Sequence, residues 1–361
     1  MTSNELEFEI VLATRNRPEV LQLSIPLMLA QSRLPRRFIV VDSSQDHMMV
    51  RRVVEDIFRR SETSSELLVM ESPIAGTTHQ RNVGLKHVGA PVVVFPDDDA
   101  LWHPGAADAL MRIYERDVER AVGCVGMSPA PTFPAGMFAS REPLYRLEVR
   151  DRVAKATDRF LTPVEESLFP DPMHSRRMWV PERCTMKSLS WLSEEDAELC
   201  GPVTGYRMSF RTEVIRELGG FDERLGTYGL YEDFDASIGC LQKHHNVLAG
   251  RSKCFHYRVP SKRVSASEFG IMAILNRTYI TCKYSLPRST TRSKLIRYLY
   301  YKLVRYFLQS YTHYGRRRLV GAIYAMPEAR RLMDVPIGEL SSRYVKARTD
   351  CLNRVEKDRA V

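Results

Sequence analysis

The stretch Val92-Val93-Val94-Phe95-Pro96-Asp97-Asp98-Asp99 is an apolar run that stops abruptly in three adjacent carboxylates. Four apolar residues and a proline predict a short strand buried on both faces, with the acidic triplet just beyond its carboxyl end. In open α/β sheets that edge is where ligands bind. Three like charges in a row repel one another, and a fold tolerates them best when solvent or a hard cation such as Mg²⁺ or Mn²⁺ offsets the repulsion. Taken alone, the triplet could as well be an acidic turn that caps the next helix. The flanking chain decides between the two.

Upstream, the same grammar repeats three times. Phe8–Ala13 predicts a strand, followed by Thr14-Arg15-Asn16-Arg17-Pro18 and an apolar-periodic helix over Glu19–Gln31, with Pro18 suited to a first helical turn. Phe38–Val41 ends in Asp42-Ser43-Ser44-Gln45-Asp46 and leads into a helix over Met48–Arg60. Leu67–Met70 is the third strand, and Gly76-Thr77-Thr78-His79-Gln80-Arg81-Asn82 opens the third helix. This alternation predicts an α/β fold: a Rossmann-like, mostly parallel sheet flanked by helices, with the four polar loops on one edge.

Downstream, residues 101–118 read as a helix and Val122–Met127 as a further strand. A proline-rich insertion over about 128–200 is expected to form loops and short helices over the sheet edge. Order returns at Gly201–Phe210, followed by a helix near Glu213–Leu218 that Gly219-Gly220 stops. The glycine-bearing loop Gly226–Tyr231 leads into Glu232-Asp233-Phe234-Asp235 and a helix through Leu241. Asn246–Ala249 and Cys254–Tyr257 read as two short strands. The chain therefore divides into a domain over 1–261 and a basic, mostly helical region over 262–361.

Of the 361 residues, 44% are hydrophobic and 27% charged, which suits a folded soluble protein and not a disordered one. No run approaches the roughly 18 uncharged apolar residues of a membrane span. The acidic start, running straight into a strand, does not resemble a secretory leader. Seven cysteines without paired metal-type spacing are expected to be reduced thiols in a cytoplasmic protein. From Lys262 onward there are 21 Lys and Arg against 7 Asp and Glu, whereas the first 261 residues carry 32 against 37. An acidic body with a basic extension points to an anchoring surface and away from nucleic acid.

Taken in order, Thr-Arg-Asn-Arg after strand one, Asp42 after strand two, Arg81-Asn82-Val83-Gly84-Leu85, the Asp triplet, Gly219-Gly220-Phe221-Asp222-Glu223 and Glu232-Asp233 resemble the family-2 glycosyltransferases. The likeness covers roughly residues 7–258, and Asn276-Arg277 with Lys283-Tyr284 resembles the tail that follows this domain in bacterial members. The resemblance implies the A-type glycosyltransferase fold, a nucleoside-diphosphate sugar as donor and Mg²⁺ or Mn²⁺ as cofactor. It implies Asp99 as direct metal ligand, with His256 as a second ligand or a structural strand-end histidine. Asp98 is expected at the donor ribose or the metal's water shell, and Asp97 at the donor sugar or nearby loops. Thr14, Arg15 and Arg17 are expected to offer donors to the nucleotide, Asp42 to accept from a uracil or thymine N–H, and Arg81 to pair with phosphate while Asn82 braces the loop. Asp233 is implied as the general base of an inverting transfer and Glu232 as a contact for an acceptor hydroxyl. The acceptor is a glycan, a lipid-linked sugar or a small molecule. Two rivals are a sugar nucleotidyltransferase, whose glycine- and lysine-rich phosphate loop Thr14–Arg17 does not supply, and a non-catalytic module of the same fold. Trp179 and Trp191 are candidates for acceptor stacking, though tryptophan more often packs.

At 100° per residue, Lys294, Arg297, Lys302 and Arg305 share one arc of a helix, and Leu295, Ile296, Leu299, Leu303 and Phe307 fill the opposite arc. Residues 290–318 could therefore lie peripherally on an anionic membrane, or could pack on the catalytic domain with the charges in water.

Overall fold

A computed structural model describes residues 5–134, 167–168, 172–174, 189–259, 264–284 and 289–360. These fall into two compact units, one before and one after about residue 260, the second also taking residues 172–174. Most of the proline-rich insertion, including Trp179, lies outside the described residues.

The first unit is built on a nine-stranded sheet in the order β3-β2-β1-β4-β8-β6-β9-β5, with β7 also paired to β9. Its strands are β1 Phe8–Thr14, β2 Arg37–Asp42, β3 Glu66–Glu71, β4 Val92–Pro96, β5 Ala100–Trp102, β6 Val122–Pro129, β7 Ala197–Cys200, β8 Arg207–Arg211 and β9 His245–His256. The first four run parallel, as the alternation requires. β8 and β6 then add antiparallel rungs, so the far half of the sheet is mixed. Among the described residues six helices flank it: α1 Pro18–Leu29, α2 His47–Ser61, α3 Thr77–Leu85, α4 Ala106–Arg116, α5 Thr212–Glu217 and α6 Glu232–Cys240.

The parallel strands read as unbroken apolar runs because both faces are covered. Ile10, Leu12, Phe38, Val40, Val92 and Val94 enter one core with residues of α1, α2 and α4. Val11, Ile39, Val41, Val93 and Phe95 enter the opposite core with Val214, Ile215 and Ala236 of α5 and α6. Burying each such side chain contributes about 1.5–3 kcal/mol.

Two expectations are corrected here. The helix expected over 101–118 begins only at Ala106, because Leu101 and Trp102 form β5, antiparallel to β9. The two short strands expected over 246–257 are one continuous 12-residue strand, β9. Gly250 does not break it: a Cβ there would sit 2.2 Å from the Asp196 carbonyl oxygen, so the glycine admits a close backbone approach.

The second unit contains α7 Ala266–Tyr284, α8 Ser289–Leu308, α9 His313–Leu332 and α10 Ile337–Ala360. α7 is buried nearly all round, as expected of a central helix. Tyr344 stacks on Tyr279 and its hydroxyl donates to Asn276 Oδ1 at 2.6 Å. α7 and α9 touch backbone to backbone through small residues. A Cβ on Gly270 would lie 2.1 Å from the Arg318 carbonyl oxygen, and one on Gly321 2.0 Å from that of Ser267. Gly321→Val is therefore expected to cost roughly 3 kcal/mol through overpacking. Gly338→Ala, which meets open space, should leave thermal melting unchanged or slightly raised. Equal melting of both variants by circular dichroism would refute the close crossing.

Candidate active site

The acidic triplet leaves the end of β4, where Asp97 still bridges to Ala13 of β1. The chain turns there, the Ala100 N–H donating to the Asp97 carbonyl at 3.1 Å, and the three carboxylates diverge. Asp98 is buried, accepting from Arg17 Nη1 at 2.9 Å and from the Thr14 hydroxyl at 3.1 Å. Asp97 and Asp99 instead approach His256, and one donor atom from each of the three lies within 4.8 Å of the others. The β5–β9 ladder is the cause: Ala100 pairs with His256, and the Tyr257 N–H donates to the Asp99 carbonyl at 3.0 Å. The Tyr206 ring stacks on His256 at 4.2 Å and orients it.

Burial pushes the Asp99 carboxyl up, but His256 Nε2 at 3.3 Å, Arg17 and the Val259 N–H outweigh it and hold the group below the usual carboxylate range. Two carboxylates and an imidazole form a donor set that fits Mg²⁺ or, with its nitrogen, Mn²⁺.

Arg81, in the middle of α3, is fully buried. Its Nη2 donates to Asp97 Oδ1 at 2.7 Å and its Nη1 to Glu232 Oε1 at 2.8 Å. The guanidinium also lies over the Phe221 ring, 5.4 Å from its centroid. The structure thus places Arg81 between two carboxylates of the chain itself, with both terminal nitrogens engaged. Asn82 grips Phe221, donating to its carbonyl and accepting from its N–H, both at 2.8 Å. The Gly-Gly-Phe-Asp-Glu loop is in this way tied to the helix that carries Arg81.

Glu232 and Asp233 open α6, whose preceding residue Tyr231 has a left-handed backbone with φ 73°. A non-glycine residue held there is strained. Asp233 accepts from the Gly205 N–H at 2.7 Å and from its neighbour Phe234 at 2.9 Å. Desolvation raises both carboxyls. Glu232 is pushed up to about 8, also by the charge of Asp233 beside it. Asp233 is pushed up to about 6, restrained by its two N–H donors.

At the nucleotide edge, Asp42 is buried and accepts from the Ser44 N–H at 3.0 Å, the Ser44 hydroxyl and His47 Nδ1 at 2.8 Å. The Ser43 hydroxyl beside it is buried without a partner. Arg15 is exposed. Arg17 is turned inward to Asp98 and the Val259 carbonyl. Trp191 packs against the core, with Arg116 over its ring.

Several contributors escaped the sequence reading. Gln80 ties β1 to β2 by donating to the Thr14 and Val41 carbonyls at 2.8 and 2.7 Å. Tyr206, the Gly205 N–H, His47 and Phe221 are the others. Gln80 and Phe221 stand within motifs already singled out, whereas Tyr206 and His256 are 50 positions apart with no local pattern to join them.

The sequence pattern described as Glycosyl transferase family 2 matches residues 9–163, which include the four parallel strands and the acidic triplet. The match to the glycosyltransferase pattern ends before Gly219–Glu223 and Glu232-Asp233. A comparison with curated protein sequences finds no match. Among solved structures, the chain is similar to the mannosyltransferase PcManGT from Pyrobaculum calidifontis in complex with GDP-Man and Mn²⁺, at 16% identity and TM-score 0.51 over 96% of this chain and 87% of that one. It is similar to S. aureus TarS 1-349 in complex with UDP-GlcNAc, at 14% identity and TM-score 0.52 over 95% and 91%. It is also similar to GalNAc-T7 with UDP, GalNAc and Mn²⁺, at 14% identity and TM-score 0.55, over 97% of this chain and 55% of that one. These likenesses show that the chain has the A-type glycosyltransferase fold.

Proposed function

We propose that the domain moves one sugar from a uridine or deoxythymidine diphosphate, in the presence of a divalent cation, to a glycan, lipid-linked or small-molecule acceptor with inversion at the anomeric carbon. The observation that carries this reading is one continuous charged chain: the Asp97, Asp99 and His256 cluster, Arg81, then Glu232 beside Asp233. It sets a cation site and a tunable base on opposite ends of one buried guanidinium.

Asp99, His256 and Asp97 would hold Mg²⁺ or Mn²⁺. When bound, such an ion supplies Lewis-acid neutralisation of the charge that grows on the leaving diphosphate. Asp42, oriented by Ser44 and His47, keeps lone pairs for a base N–H, and the unpartnered Ser43 hydroxyl adds a donor there. Arg15 faces solvent on the first loop and can meet phosphate. Thr14, Arg17 and Asp98 lock that loop. Asp233 takes the proton of the acceptor hydroxyl as its oxygen bonds to the anomeric carbon and the bond to the diphosphate breaks. One in-line displacement inverts the centre. Glu232, held by Arg81, can hydrogen-bond the acceptor.

A thermal-shift panel of UDP, dTDP and GDP with and without Mn²⁺ tests the reading. At a hundredfold excess over Kd the preferred diphosphate should stabilise the protein by about 2.7 kcal/mol, only with metal. Asp99→Ala should abolish the shift. Indifference to every diphosphate would count against the proposal.

A further inference from the structure

The arc expected to touch a membrane does not face solvent as a whole: Leu295 and Leu299 are buried in the helical unit, and Ile296 and Leu303 are half-buried. A different arc is open. Phe307 is 66% and Val304 56% exposed, and Tyr300 and Leu308 are exposed beside them. At 100° per residue these four positions span an arc of about 100° on α8. On α9, Val320 and Ile323 are exposed too. The two helices run side by side, joined by a short turn, with Arg330 of α9 donating to the Tyr300 hydroxyl of α8 at 3.2 Å.

Charge selects what covers this face. Between Phe269 and Pro327 the sequence holds eleven Lys and Arg and no Asp or Glu. Lys294, Arg297, Arg316 and Arg330 are exposed around the apolar strip. Exposed Tyr311 and Tyr314, at the turn between the helices, bring amphipathic rings of the type that settle at a headgroup boundary. A second copy of the chain would set this cationic field against itself, whereas an anionic lipid surface neutralises it and accepts the apolar side chains between headgroups.

We infer that the face formed by α8 and α9 is a docking surface for an anionic membrane, with Val304, Phe307, Leu308 and Ile323 entering the interface and the surrounding arginines and lysines contacting lipid phosphates. The inference goes beyond glycosyl transfer and stands apart from it. No helix among the described residues is long and apolar enough to cross the bilayer, so the contact is peripheral.

Co-sedimentation of the full chain with vesicles tests it, with no donor or metal present. The protein should sediment with equimolar phosphatidylcholine and phosphatidylglycerol, and bind phosphatidylcholine alone at least about tenfold more weakly. High salt should weaken the first interaction. Phe307→Glu should lower binding at least about tenfold while melting as the parent does, since the position is exposed. Val304→Glu provides the same reading should the first variant misfold. Equal binding to both vesicle types, binding to neither, or retention by the glutamate variants would overturn the inference. So would a parent that light scattering shows to be a dimer and a Phe307→Glu variant that is monomeric.

Discussion

Asp233→Asn should lower the rate of sugar transfer by roughly a thousandfold, within the range for loss of a general base, and leave metal-dependent nucleotide binding intact. The amide oxygen can still accept from one of the two N–H groups, of Gly205 or Phe234, that hold the carboxylate's separate oxygens, while its NH2 group meets the other donor, which adds a stability cost. What is lost is proton affinity. With its carboxyl pushed up to about 6 by desolvation, Asp233 works as a base only when ionised. Initial rates at low acceptor concentration should therefore climb with pH through about 6 and level off above it. In Asp233→Asn the residual rate should lose that limb. A variant with normal turnover, or one whose residual rate keeps the same limb, would remove Asp233 from the role.

Arg81→Ala should be the most damaging single substitution at this edge for stability and activity together. Its guanidinium is the shared partner of Asp97 and Glu232. Truncation would leave both carboxylates facing a cavity over Phe221. Removing one member of a buried charged set costs roughly 3 kcal/mol or more, visible as a lower urea midpoint. Arg81→Lys separates the two effects. An ammonium restores the charge but is a compact point, without the fork that spans Asp97 and Glu232, two acceptors 135 positions apart in sequence. Stability should recover substantially, whereas the position of Glu232 and the transfer rate should not. Full recovery of transfer by lysine would show that only charge is needed at this position.

The legibility of this chain follows the reach of each physical rule. Parallel strands covered on both faces leave unbroken apolar runs, so β1 to β4 and their polar loops can be read directly from Phe8 to Asp99. β5 could not be read that way: three residues carry no period, and Leu101-Trp102 looks like the start of the helix that follows His103-Pro104-Gly105. Gly250 looks like a strand end but is a point of backbone contact. Within the triplet, adjacency conceals direction. Asp97 read as a contact for donor or loops, yet the turn after β4 brings it to Asp99 and His256 while Asp98 faces Arg17. Arg17 read as a donor to the nucleotide and Arg81 as a cation for phosphate; the partners they have within the chain, Asp98 and Glu232, lie 81 and 151 positions away, beyond any local pattern. In α8, periodicity located an apolar arc correctly but could not say that Leu295 and Leu299 already have neighbours.

The rung between Ala100 and His256 also has a meaning in time. Ribosomal synthesis delivers the two carboxylates of the cluster long before the imidazole, with the whole insertion and most of the mixed half of the sheet between them. Pairings this distant form late in folding. A nascent or truncated chain ending before β9 would carry the acidic loop without its third donor, and the cluster assembles only when the final strand of the sheet docks. Assembly of the cluster is thus a report that the domain is complete.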